Sequence, residues 1–168
     1  MSQEFMLAGE TPSPELVAAW LALDELRAEQ VPMWAADWLV AGYDGVALAE
    51  LAGLSGRDTR EVRDLLPAAL VEAGVRPLSS KGAALKVAFD HIAYLHVSGR
   101  ARWAWVVNQV VEVVSGAGYV EEAFGQPLAQ LYGVDDEMSE PWSRSDEELA
   151  GVVRQACLDQ IAGAGPSA

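Results

Sequence analysis

Thiols, imidazoles and cations are all scarce in this chain. One cysteine, Cys157, stands among 168 residues, which excludes an internal disulfide. The two histidines, His91 and His96, are five apart. On one helix they diverge by about 140°, so they do not chelate a shared ion as an i, i+4 pair would. Eleven Lys and Arg face 25 Asp and Glu, for a net charge of −14. Such a chain is a poor partner for nucleic acid, because that binding rests on neutralising phosphates. Apolar stretches are interrupted before the ~20 residues that a membrane span needs. The opening Met1-Ser2-Gln3-Glu4 is not the basic, apolar start of a secretory leader. These absences point to a cytoplasmic protein with no membrane partner.

Chemical motifs are missing as well. There is no phosphate-binding loop, no G-x-G-x-x-G, no H-E-x-x-H and no G-x-S-x-G. The run Asp135-Asp136-Glu137 lacks the alternating oxygen ligands and turn glycine of a calcium loop. Cys157 lies among Ala156, Leu158 and Ile161 and reads as a buried structural thiol, its pKa raised by nearby acids. No catalytic residue, cofactor or metal is expected. An enzyme would need carboxylates that converge only in the fold.

What is abundant favours helix. Hydrophobic residues make up 51%, and Ala and Leu, both strong helix formers, are frequent. Ser13 reads as an N-cap with Pro14 at the first helical position. Leu16, Val17, Trp20 and Leu23 then form a 3.6-residue stripe. Pro32 opens a second helix to about Ala41, with Trp34 and Trp38 on one face. A short helix spans 46–54. Asp58 and Glu61 have capping-box spacing before Val62, Leu65 and Leu66, and Pro67 must kink that helix or begin a new one. Residues 83–98 follow, with Leu85, Phe89 and Ile92 inward. Residues 101–115 are rich in valine, a strand former, yet their apolar positions run i, i+3, i+4, i+7. They are read as a central helix. A helix from about 120 to 131 is interrupted by Gly125 and Pro127. Residues 133–144 read as an acidic loop, and Ser145 with Glu148 makes a capping box for the last helix. The one candidate strand is Val75–Leu78. The expected fold is therefore all-α, a compact bundle of about six to eight helices. It forms a single domain over 13–162, divisible into 13–75 and 79–162, with flexible termini at 1–12 and 163–168.

Charge is unevenly placed. Residues 1–56 carry a net −8, residues 57–102 a net +3 and residues 103–168 a net −9. Across the boundary of the first two bands runs Ala47-Leu48-Ala49-Glu50-Leu51-Ala52-Gly53-Leu54-Ser55, followed by Val62, Leu65 and Leu66. Over residues 46–66 this resembles the helix-turn-helix of bacterial regulators, with Ala49 and Gly53 at the small-residue and turn positions. The resemblance implies a DNA reader in which Arg57, Arg60 and Arg63 are the outward bases of the second helix. The turn through Ser55-Gly56-Arg57-Asp58 is about three residues longer than the tight form. Asp58, Glu61 and Asp64 also alternate with the arginines, where a groove-facing surface avoids carboxylates.

Six tryptophans are many for this length. Trp20, Trp34, Trp38 and Trp103 fit apolar stripes. Trp105 lies two residues from Trp103, so both cannot face one side. Trp142 stands in the acidic loop, either tucked back as an anchor or displayed as an interface aromatic. Residues 31–75 are similar in style to proteins of high-GC actinobacteria. Small acidic bacterial proteins of this size include immunity proteins, which bind and block a toxin. By that analogy the leading expectation is a protein-binding module that masks a basic partner through Asp135, Asp136, Glu137, Glu140, Trp142, Asp146 and Glu147. A DNA-binding regulator and an enzyme are the alternatives, and the oligomeric state stays open.

Overall fold

The computed structural model describes residues 10–163; most of the termini expected to be flexible lie outside them. The all-α expectation holds, and no strand occurs among the described residues, so Val75–Leu78 is not one. The α-helices among those residues number nine rather than six to eight: α1 Pro14–Ala22, α2 Val31–Val40, α3 Val46–Ala52, α4 Thr59–Glu72, α5 Lys81–Val97, α6 Trp103–Gly116, α7 Glu121–Phe124, α8 Val134–Met138 and α9 Asp146–Ile161. Two 3-10 segments, Ala28–Gln30 and Pro127–Gly133, precede α2 and α8. The chain divides into two compact units, the first ending at Ser80 and the second beginning at Lys81.

In the first unit, Ser13 caps α1 as expected: its hydroxyl accepts from the Leu16 amide at 3.2 Å. Leu16, Val17, Ala19 and Trp20 are buried. Trp20 and Trp34 pack as tilted rings 5.7 Å apart. Trp38, four residues on, donates its indole N–H to the Pro12 carbonyl at 2.8 Å, which satisfies the one polar atom of an otherwise apolar side chain.

Helices α3 and α4 pack together as the expected hairpin, with Leu48 and Leu51 of the first and Val62 and Leu66 of the second all buried. Of the two outcomes expected at Pro67, a new helix does not begin there: α4 runs from Thr59 to Glu72 with the proline exposed. The cap expected at Asp58 differs from the sequence expectation: Asp58 makes no side-chain cap. The cap on the hairpin belongs to α3 and comes from far away: Glu72 accepts from the Ala47 amide at 3.1 Å and the Leu48 amide at 2.9 Å. A carboxylate on two N-terminal amides satisfies groups that the helix cannot pair internally and complements its dipole.

The second unit is built on α5, α6 and α9. Leu85, Phe89, Ile92 and Leu95 line α5, and Val106, Val107, Val110, Val113 and Val114 line α6. The valine-rich segment is thus a helix, as its period demands. Trp103 and Trp105 are half-buried, so Trp103 is not a core residue. It stands at the first position of α6.

A polar knot fixes the last helix. Gln160 is 1% exposed. Its Oε1 accepts from the Leu128 amide at 3.0 Å, and its Nε2 donates to Asp90 at 2.8 Å and to Gln126 at 3.1 Å. One side chain therefore ties α9 to α5 and to the start of the second 3-10 segment, with both ends of its amide matched.

Candidate functional site

The acidic segment expected as a loop is largely helical. Gly133 has helical backbone angles, so the Pro127–Gly133 segment runs straight into α8, and buried Val134 pins that helix to the core. Asp135, Asp136 and Glu137 form its first turn. Negative charge there is favourable because it faces the positive end of the helix dipole, which is why an acidic run that looked like loop coils instead. Only residues 139–145 are irregular, with the Ser143 amide closing a turn on the Glu140 carbonyl at 3.1 Å.

Glu137 and Arg144 hold the two ends of this turn together. Arg144 donates from Nε and from its terminal nitrogen to the two carboxylate oxygens, each at 2.7 Å, and its amide reaches the same carboxylate at 3.3 Å. This is a bidentate fork, the strong form of the pair. The Arg144 guanidinium and amide hold the Glu137 carboxyl down to about 2, and the carboxylate in turn raises the guanidinium. Glu137 is therefore not an open charge for a partner. Ser145 and Glu148 then make the expected capping box at the start of α9, with Ser145 N to Glu148 at 2.8 Å and Glu148 N to Ser145 Oγ at 3.2 Å. Those contacts lower the Glu148 carboxyl below its ordinary value.

Within the turn that the fork closes, Trp142 is displayed. It is 78% exposed, so it does not tuck back as a loop anchor. Glu140, Asp146 and Glu147 are exposed around it in sequence, Asp136 is exposed and Asp135 is half-buried. From residue 135 to 148 there are seven acids and one base, and that base is matched by Glu137. The segment presents an unmatched negative field with one large aromatic in it. Asp146 and Glu147 also occupy the first turn of α9, where they support the helix whatever else they do.

The arginines of the hairpin are less well placed to read DNA. Arg63 donates to the Leu26 carbonyl at 3.2 Å, so its guanidinium is directed back at its own unit. Arg57 and Arg60 are exposed, with Asp58, Glu61 and Asp64 exposed among them around the same shallow depression. Glu137 and Glu148 are both held below the ordinary carboxylate range.

Cys157 is fully buried, and burial pushes its thiol up to about 12 against a small opposing effect of Arg154. Desolvation, not the neighbouring acids, is the cause. His96 shares a 2.8 Å hydrogen bond with the Ala101 carbonyl. Among the described residues no cluster of three His, Cys, Asp or Glu is set to hold a metal, and no helix is long and apolar enough to cross a membrane.

Sequence reasoning found the acidic segment and Trp142 but missed the fork. Glu137 and Arg144 are seven apart, which on one helix would put them two turns and about 10 Å from each other, too far to pair; the pair exists because the chain reverses between two helices. Comparison with protein-family models, with curated proteins and with solved structures finds no match to this chain.

Proposed function

We propose that this protein is an acidic helical protein-binding module, in its most concrete form an immunity-type inhibitor that covers a basic active site on a toxin. The observation that carries the reading is Trp142. A tryptophan that stays 78% exposed on a turn clamped at both ends gains nothing for its own fold. Large rigid aromatics are the usual anchors of protein interfaces. The acids around it speed encounter with a positive surface and select against negative ones.

Nuclease-treated capture at low and moderate salt, run side by side with the wild type and Trp142→Ala, tests it. A stoichiometric basic protein held by the wild type and released by the variant supports the reading. Retention of that protein by Trp142→Ala with undiminished affinity removes Trp142 as the anchor. Nucleic acid as the sole bound material, lost with nuclease, replaces the reading with the regulator suggested by residues 46–66.

A further inference from the structure

A second group of displayed aromatics lies in the same unit as Trp142. Tyr119 follows α6, Phe124 ends α7 and Tyr132 lies in the second 3-10 segment. Tyr132 meets Tyr119 at 6.1 Å and 86°, and meets Phe124 at 5.9 Å and 88°. Two rings thus stand perpendicular to a third. Tyr119 is 56% exposed and Phe124 48%, so both residues are open to solvent. Tyr119 takes a left-handed backbone angle, φ 58°, which a side chain other than glycine adopts at a cost. It is held there by its Ser115 contact at 3.3 Å and its packing on Tyr132.

Acids dominate the stretch of chain that carries the cluster, although the Lys81 ammonium bonds the Ala117 carbonyl at 2.9 Å, two residues before Tyr119. Residues 103–143 include seven acids and no Lys or Arg. Asp135 and Asp136 stand three and four positions after Tyr132 along a continuous helical path, the spacing that places side chains on one face. Beside Phe124 a shallow groove of about 530 Å³ opens, lined in part by Pro127, Gln130 and Asp159.

We propose that the Tyr119–Phe124–Tyr132 cluster receives an arginine side chain of the basic partner, its guanidinium lying on the rings and donating to Asp135 or Asp136. A cation within about 6 Å of a ring centroid is drawn to the ring's negative face. The planar guanidinium both stacks on a ring and forks onto a carboxylate, which an ammonium does not. The hydrogen bond that Tyr132 gives to Tyr119 is the main cause that raises its phenol above the ordinary value, with burial and then the charges of Asp136 and Asp135 acting in the same direction. The site deepens the protein-binding reading and rests on it for its biological partner, but not for its test.

The test is aromatic carbon–proton NMR of the full chain, titrated with the capped peptide Gly-Arg-Gly-Arg-Gly at two salt concentrations. Lysine and citrulline versions of the peptide are run in parallel. Expected are saturable shifts of the Tyr119, Phe124 and Tyr132 rings, with upfield movement of the arginine δ-methylene protons. Phe124→Ala, which removes an exposed ring, should weaken binding about fivefold. The double variant Asp135→Asn, Asp136→Asn should weaken it further with the fold intact. Equal binding of the lysine or citrulline peptide, or shifts at the Trp142 indole with the three rings unmoved, overturns the proposal. A captured cellular partner whose affinity ignores Phe124→Ala would remove this site and leave the module reading standing. Ring shifts with the arginine peptide but no basic partner in capture would do the reverse.

Discussion

Replacing Glu72 by alanine should loosen α3 specifically, although Glu72 lies 24 residues beyond the nearer amide that it caps. Two N-terminal amides, of Ala47 and Leu48, lose their acceptor. Loss of an N-cap acceptor costs about 0.5–2 kcal/mol. The Ala47 bond is exposed and water can replace it, while the Leu48 bond is part-buried, which places the expected loss at about 1–2 kcal/mol. A helix of seven residues has little stability of its own against that loss. Gly45 supplies the control. Its backbone is extended, φ 163°, which any residue adopts, so conformation does not demand glycine there. Space does: a Cβ would enter the Glu72 carboxylate and lie 2.7 Å from Glu72 Cβ. Gly45→Ala should therefore swing the carboxylate away and break the same two bonds. The two single variants and the double variant form a cycle, read by amide hydrogen exchange at residues 47–51 and by urea unfolding. Exchange is the primary readout, because two units can unfold separately. The double variant should lose no more than the worse single. Losses that add to within about 0.5 kcal/mol would show that glycine and glutamate act independently, and would refute the shared cap.

Three further outcomes follow from contacts described above. The folded Glu137 carboxyl sits near 2 against an ordinary 4.5, so the order it confers on residues 138–143 is complete above about 4.5 and is lost as pH falls from there through 2. Trp142 emission followed across that window should track the loss in the wild type and stay flat in Glu137→Gln. Gln160→Leu keeps the volume but leaves the buried Leu128 amide without its acceptor, a loss of about 1–3 kcal/mol that thermal unfolding of the variant should show; an unchanged midpoint would contradict the knot. Cys157, with its thiol up near 12, carries roughly 10⁻⁴ of thiolate at pH 8, so an aromatic disulfide reagent should label it only on the timescale of unfolding.

Local signals were legible where the physics is local. Ser13-Pro14 and Ser145 with Glu148 act within one helical turn, and both caps form as read. The valine run over residues 103–114 declared its helix through period alone, against its residue preferences. Asp58 and Glu61 show the limit: their spacing matches a capping box, yet no side-chain cap forms at Asp58. The cap that does form, Glu72 on α3, joins residues 24 and 25 apart, and nothing in the intervening sequence announces it. Gln160 is the same case over 32 and 70 residues. Polarity alone suggests a loop for the acidic segment; its place at the positive end of α8, beside buried Val134, makes it helical instead. At the candidate site, the identity of Trp142 was legible and its exposure was not, since exposure depends on how the turn between α8 and α9 closes.

That turn has a consequence for the kinetics of recognition. Arg144 and Glu137 close the six residues between them before any partner arrives, so the entropy of ordering the Trp142 display is spent in folding and not at encounter. Opening the clasp would split the free protein into competent and incompetent forms, and apparent affinity would fall by the competent fraction with the contacts themselves unaltered. For any partner that engages Trp142, the loss on Glu137→Gln should therefore appear as slower association at an unchanged lifetime of the complex, the signature of preorganisation rather than of a lost contact.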